Sequence, residues 1–191
     1  MKPAARVLLT RSSENGYARQ TQCCRSIDMN KPRRKHPRLK EYDYSLPGYY
    51  YVTIHTQAEN AVLSSVGRGL GPAGAVTHLT QVGKIAEQQL FALEKRYPCV
   101  KIDKYVIMPN HIHAIFRLTE AAGASPRPTL MDVVGTYKSL TTRTCNQLCG
   151  TPGRKLFQTS FYETVLRNEK AYQECWLYIH GNPAKWLENR K

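Results

Sequence analysis

The pair His111 and His113 has the residue types and the spacing best suited to chemistry in this sequence. Both histidines lie in residues 105–118, YVIMPNHIHAIFRL, where an apolar run, a short polar break and a second apolar run predict β-strands. Because residues two apart on a strand share a face, the two imidazoles are expected side by side, with Ile112 turned into the core. Two neutral imidazoles on one strand provide half of a binding site for a divalent metal ion. The alternative is that both are polar residues on the exposed face of an edge strand.

A tyrosine and an amide are spaced for joint action further along the chain. Tyr178 and Asn182 are four residues apart, so on a helix they lie one turn apart on the same face. An amide oxygen is a suitable ligand for Mg²⁺ or Mn²⁺, and the phenol oxygen beside such a metal could attack a phosphodiester. With a free pKa of about 10, the phenol would need the metal or a base to activate it. The alternative is that Tyr178 packs in the core next to Trp176.

The charge of the chain indicates a polyanionic partner. The net charge is +14 and the pI is about 9.7. Residues 1–40 hold 11 of the 28 Lys and Arg residues but only 2 of the 14 acidic residues. A chain of this kind most often binds nucleic acid, although a solvated tail without a partner is the alternative.

Two groups of basic residues are candidates to contact DNA phosphates. The first lies in the basic run at 31–38 and comprises Arg34, Lys35 and Arg38. The second, Lys138 and Arg143, lies off the apolar stripe of a predicted helix, where ordinary solvated charges are an equally good explanation.

The sequence divides into a basic arm and one folded domain. Residues 1–40 lack hydrophobic periodicity and are predicted to be disordered, whereas residues 41–191 suffice for one domain with a core. The apolar runs are far too short to span a bilayer, and the one near the N-terminus is too short for a signal peptide. We therefore expect a cytoplasmic protein without a membrane partner.

Hydrophobic periodicity predicts an α+β domain in which helices pack on an antiparallel sheet. Strands are predicted at 49–56, 61–66 and 100–108, in the His-x-His segment, and as one or two short strands at 157–166. Helices are predicted at 80–96 and 129–148, and the glycine-rich residues 67–74 are predicted to be a flexible connection. A final helix, capped by Asn168, is expected to end near Asn182, because Pro183 disfavours helical geometry in the residue before it.

Three motifs together resemble the REP-associated tyrosine transposases, which are single-tyrosine relatives of insertion-sequence transposases in the HUH endonuclease superfamily. They are MPNHIH at 108–113, YDYSLPGYYYVT at 42–53 and YIHGNPAKW at 178–186. The resemblance covers about residues 33–187 and implies an HUH-endonuclease-like fold of the ferredoxin-like or RRM-like type. It implies that His111 and His113 bind the metal and that Tyr178 is the nucleophile. It also implies that Asn182 is the third ligand, where insertion-sequence relatives carry the longer glutamine.

The resemblance implies a transposase that cleaves and rejoins single-stranded DNA next to a palindromic hairpin. The intermediate would be a 5′-phosphotyrosine, the cofactor Mg²⁺ or Mn²⁺, and the cellular site the nucleoid within the cytoplasm. Both a monomer and a homodimer are compatible with the family.

Three other functions stay open. A domesticated, non-catalytic regulator that binds hairpin DNA is disfavoured because it would not need His111, His113 and Tyr178. A rolling-circle replication initiator or relaxase shares the chemistry but would be larger. A metal-dependent hydrolase of small phosphoesters would leave the basic arm unexplained.

Overall fold

The computed structural model describes residues 38–39, 41–58, 62–69, 74–120 and 127–189. These residues belong to one compact unit, Lys35–Lys191. The predicted basic arm lies almost wholly outside the described residues, and Arg34 and Lys35 lie outside them with it. The disorder predicted for the arm therefore stays a prediction.

The described part of the chain alternates strands and helices in the manner of an α+β domain. In chain order the elements are β1 (Gly48–His55), β2 (Ser64–Arg68), β3 (Ala75–Leu79), α1 (Gln81–Arg96), β4 (Val100–Ile107), β5 (His111–Leu118), α2 (Leu130–Cys149), β6 (Tyr162–Leu166) and α3 (Glu169–Glu188). Strands β4, β5, β1 and β6 form an antiparallel sheet in that order, and β2 pairs with β3 in a separate two-stranded sheet. The predicted fold class, an antiparallel sheet flanked by helices, is confirmed.

Strict alternation along β1 assigns its side chains to the two faces of the sheet. Tyr50, Val52 and Ile54 are fully buried in the main core, together with residues of α1 and α2. Their neighbours in the sequence point to the opposite face, where α3 crosses the sheet over a smaller apolar cluster that includes Ile115 and Ile179. The sheet thus separates a large hydrophobic core from a second face that can carry polar side chains.

Helix caps hold α1 and α2 in place on the core face. Thr80 caps α1 by accepting a hydrogen bond from the Gly83 N–H, and its hydroxyl also donates to the carbonyls of residues 62 and 63. Thr129 and Asp132 form a capping box at the start of α2, and Gly150 ends that helix in the left-handed conformation, with φ 62°. Both predicted helices are therefore confirmed to within one or two residues.

The prediction that the last helix ends near Asn182 was wrong. Helix α3 continues through Pro183 to Glu188. Ile179, Asn182 and Pro183 are all buried on the side of the helix that faces the sheet. Tertiary burial therefore outweighs the local preference of proline, and the extra turn brings Trp186 to the histidine strand.

The glycine-rich segment contains more regular structure than the sequence indicated. Gly67 and Arg68 belong to β2, and β3 was missed altogether. Their pairing aligns Gly67 with Val76 across the two strands, a contact that no local periodicity predicts. At 157–166, only β6 forms a strand, and Phe157 makes an isolated bridge to Thr56. Within the described ranges, no helix has the length and apolar character needed to cross a membrane.

Candidate active site

The two histidines of the His-x-His segment lie side by side on β5. Their ring centroids are 4.6 Å apart, and Ile112 between them is fully buried in the main core. Both rings lie on the face of the sheet that α3 crosses, as the spacing of two predicted. They are not exposed residues of an edge strand, because β5 lies between β4 and β1 and His113 is 5% exposed.

Each imidazole is oriented through its Nδ1 atom. The Nδ1 of His113 lies 2.8 Å from the Tyr51 hydroxyl and 2.9 Å from the Thr53 hydroxyl, both on β1. The Nδ1 of His111 donates to the Asn110 side-chain oxygen at 2.8 Å. These contacts engage Nδ1 and reserve Nε2 for a ligand, which is how metal-binding histidines are usually oriented.

Burial keeps both imidazoles neutral at physiological pH. It lowers the pKa of His113 to about 3 and that of His111 to about 4, and the neighbouring imidazoles lower both pKa values further. A neutral imidazole has the free lone pair that a metal ligand requires.

Helix α3 places Tyr178 beside these histidines. The rings of Tyr178 and His113 are 5.3 Å apart, and Tyr178 is 42% exposed. The Lys185 ammonium lies 5.1 Å from the centre of the Tyr178 ring. Tyr51 also approaches His113, but burial raises its pKa well above that of a free phenol. Of the two tyrosines that contact His113, Tyr178 is therefore the one that a substrate from solution can reach.

Asn182 lies one helical turn beyond Tyr178 and is buried. Its residue is 7% exposed, and its side-chain amide forms no hydrogen bond with another described residue. The chemistry of this donor set, two imidazole nitrogens and an amide oxygen, fits a divalent metal.

A third histidine, which the sequence reasoning missed, adjoins the pair. His55 is opposite His111 in the register of β1 and β5, and the two rings are 5.4 Å apart. Burial lowers the pKa of His55. The signal available in the sequence was that His55 ends a confidently predicted strand, but only the register shows which residue it faces.

The described residues contain no group of three His, Cys, Asp or Glu side chains arranged to hold a metal ion. A metal at this site would therefore be held by His111, His113 and the amide oxygen of Asn182, with the remaining positions open to substrate or water. The assignment of these three residues as ligands stays a prediction.

Two of the predicted DNA-binding residues have partners within the protein. Arg38 forms an ion pair with the buried carboxylate of Glu163 at 3.3 Å and lies over the Phe161 ring at 4.5 Å. Lys138 donates to the carbonyl oxygens of Thr159 and Ser160, at 2.8 and 3.4 Å. The structure thus shows both cations in intramolecular roles, and DNA binding by either stays a prediction. Arg143 is exposed on α2.

The antiparallel sheet, the helices on both of its faces and the histidine pair facing α3 together define a single α+β domain. Among solved structures, the chain is similar to a REP-associated tyrosine transposase bound to a REP hairpin. The two are 20% identical with a TM-score of 0.55, and the likeness covers 78% of this chain and 73% of that one. The chain therefore has the fold of a REP-associated tyrosine transposase.

Two further likenesses are more distant or carry no description. A solved structure from Deinococcus radiodurans R1, described as a candidate transposase, is 15% identical with a TM-score of 0.45, over 80% of this chain and 95% of that one. An uncharacterised protein of Haemophilus influenzae is 26% identical over 171 residues, which are 82% of this chain and 92% of the relative. No protein-family model matches the chain.

Proposed function

We propose that this protein is a tyrosine transposase, an endonuclease that cleaves and rejoins single-stranded DNA next to a palindromic hairpin. The observation that carries the proposal is the contact between Tyr178 and His113: the ring of an exposed phenol lies 5.3 Å from the ring of a neutral imidazole, which itself adjoins His111. The fold supports it, because the solved structure with the same fold is a transposase bound to a REP hairpin. The charge of +14 suits a DNA substrate and association with the nucleoid.

In the proposed reaction the Tyr178 oxygen attacks the scissile phosphorus. The new bond is a 5′-phosphotyrosine, the bond from phosphorus to the 3′-oxygen breaks, and the strand leaves with a 3′-hydroxyl. The phenol proton is lost to solvent, which reaches the exposed ring, and the leaving 3′-oxygen takes a proton from solvent. Attack of a 3′-hydroxyl on the phosphotyrosine reverses these steps and rejoins the DNA.

The residues around Tyr178 have two further roles in the proposed reaction, metal binding and stabilisation of negative charge. His111, His113 and Asn182 would hold Mg²⁺ or Mn²⁺, which when bound supplies Lewis-acid polarisation of a phosphate oxygen. Lys185, whose ammonium lies 5.1 Å from the Tyr178 ring centre, stabilises the negative charge of the attacking phenolate and the phosphate.

One chain supplies the histidines, the tyrosine and the amide of this site. Tyr178 and Asn182 come from α3, and the histidine pair comes from β5 of the same chain. The proposed chemistry therefore works in a monomer and does not need a second subunit, although a homodimer remains compatible with it.

The experiment is a denaturing gel of the purified protein with labelled hairpin DNA that carries a single-stranded flank, with Mn²⁺ or with EDTA. We expect a metal-dependent, SDS-stable adduct that is lost in Tyr178→Phe. The matched control is Tyr172→Phe, which removes a hydroxyl on the same helix that is bonded to Asp103 and should leave the adduct intact. Cleavage by Tyr178→Phe would overturn the nucleophile assignment. Tight hairpin binding without any adduct would instead favour the domesticated regulator.

A further inference from the structure

A basic groove lies between α2 and residues 150–159. Its cavity has a volume of about 820 Å³. Four cationic side chains line it and no Asp or Glu does; the cations are Lys138, Arg143, Arg154 and Lys155. The groove takes no part in the active site described above.

The walls of the groove are held in place by specific hydrogen bonds. Asn146 on α2 donates from its side chain to the Arg154 carbonyl at 2.9 Å, and its own carbonyl accepts from the Thr151 N–H at 3.0 Å. The ammonium of Lys138 joins α2 to the far end of the segment through the Thr159 carbonyl. Gly150 and Gly153 take the left-handed conformation that the turn requires. The groove is therefore built into the fold.

Three of the cations in the groove are available to a ligand. Arg143, Arg154 and Lys155 are exposed, and none of them forms an ion pair with any residue in the described ranges. Three like charges along one groove repel each other, and a polyanion that follows the groove relieves this repulsion while releasing counterions.

The main chain connects this groove to the active site. The Gln158 N–H donates to the His55 carbonyl at 3.0 Å, and Phe157 pairs with Thr56. His55 in turn contacts Tyr162, whose ring centroid is 6.0 Å from its own and which is 62% exposed. An exposed aromatic ring on the edge strand β6 thus contacts His55, the residue that both faces His111 and accepts the main-chain hydrogen bond from the groove segment.

We propose that the groove between α2 and residues 150–159 binds the backbone of the single-stranded DNA flanking the hairpin, and that Tyr162 stacks on one of its bases. A single strand is favoured over the hairpin stem because bases inside a stem are covered on both faces by their neighbours, whereas an unpaired base offers a free face to the tyrosine ring. Arg143, Arg154 and Lys155 contact the phosphates. The proposal rests on the proposed function, since it takes the strand that leaves Tyr178 as its ligand.

The test measures binding alone, in the Tyr178→Phe protein, so that it does not depend on cleavage. The probes are two fluorescent hairpins, one blunt and one with a single-stranded flank, titrated at several salt concentrations. The groove variant carries Arg143→Gln and Lys155→Gln. The matched control carries Lys84→Gln and Lys95→Gln, two exposed lysines of α1 that do not line the groove.

The groove variant should bind the flanked hairpin about tenfold more weakly and the blunt hairpin as before. Its salt dependence for the flanked probe should fall by about 1.4 in log–log slope, corresponding to two phosphate contacts on a single strand. Tyr162→Ala should also weaken flanked-hairpin binding about tenfold, whereas Tyr162→Phe, which retains the ring, should not.

An equal loss for the blunt hairpin would overturn the proposal in favour of stem binding. An equal loss in the control, or no loss in the groove variant, would overturn it as well. The proposed function fails by a different result, the absence of an adduct at Tyr178 in the wild-type protein, so the two failures can be told apart.

Discussion

The hydroxyl of Tyr51 lies 2.8 Å from Nδ1 of His113, across the central strand pair of the sheet. Burial raises the pKa of Tyr51, so its hydroxyl stays protonated and serves as a neutral hydrogen-bonding partner for the imidazole. The contact holds the His113 ring in a stacked arrangement, with the ring centroids 5.6 Å apart. Strand β1 therefore orients His113, a residue of β5 that the sequence had already indicated as a candidate metal ligand.

Tyr51→Phe should weaken metal binding without affecting the fold. Removing a hydrogen bond that orients a ligating histidine typically lowers metal affinity by 10- to 100-fold, and about tenfold is expected here because Thr53 still contacts the same Nδ1 atom. The measurement is the Kd for Mn²⁺ by isothermal titration calorimetry. Tyr49→Phe, two residues earlier on the same face, is the control and should bind as wild type. An unchanged Kd in Tyr51→Phe would show that this hydrogen bond does not support a ligand.

The substitution Asn182→Ala should show whether the Asn182 amide binds the metal or stabilises the fold. Because the Asn182 side chain forms no hydrogen bond with another described residue, its removal should change the urea midpoint little. Affinity for Mn²⁺ should fall about tenfold, and Asn182→Asp, which retains an oxygen, should preserve it. The opposite pattern, lost stability with unchanged metal affinity, would assign the amide to the fold.

Lys185→Gln should slow formation of the phosphotyrosine adduct. In the proposed reaction, the Lys185 ammonium near the Tyr178 ring would stabilise the negative charge that develops at the phenol and the phosphate. We expect about a tenfold lower single-turnover rate, which corresponds to about 1.4 kcal/mol in the barrier. Lys185→Arg should recover most of the rate because it keeps the charge. Lys170→Gln, at the exposed start of α3, removes the same charge from the same helix and should react at the wild-type rate.

Gly83→Ala should destabilise the protein although alanine favours helix. A Cβ atom at Gly83 would lie 2.0 Å from the main-chain oxygen of Leu63, so α1 or the neighbouring backbone must shift. We expect a loss of about 3 kcal/mol in the free energy of unfolding, measured by urea denaturation.

The matched control is Gly135→Ala in the middle of α2, where the added Cβ meets nothing within 4 Å. It should stabilise the protein by about 0.5–1 kcal/mol, the ordinary difference in helix propensity. Equal effects at both positions would contradict the close packing of α1 on Leu63.

Local periodicity was enough to predict the larger helices and strands. It failed for elements whose existence or length depends on contacts with residues distant in the sequence. The apolar spacing of α1 and α2 and the dense β-branched and aromatic run of β1 appear in windows of 8 to 20 residues. Strand β3 was missed because its five residues gain their order from pairing with β2. The end of α3 was misplaced because the burial of Pro183 against the sheet outweighs its local effect on the helix.

Sequence patterns were sufficient to predict the fold class, the common face of His111 and His113, and the one-turn separation of Tyr178 and Asn182. These follow from the fixed periods of strand and helix, which need no knowledge of the rest of the chain. The folded chain was needed to show that α3 lies against the histidine face, that Tyr51 contacts His113 and that His55 adjoins His111. Strand register and helix docking depend on side chains that are far apart in the sequence and meet only when the core packs.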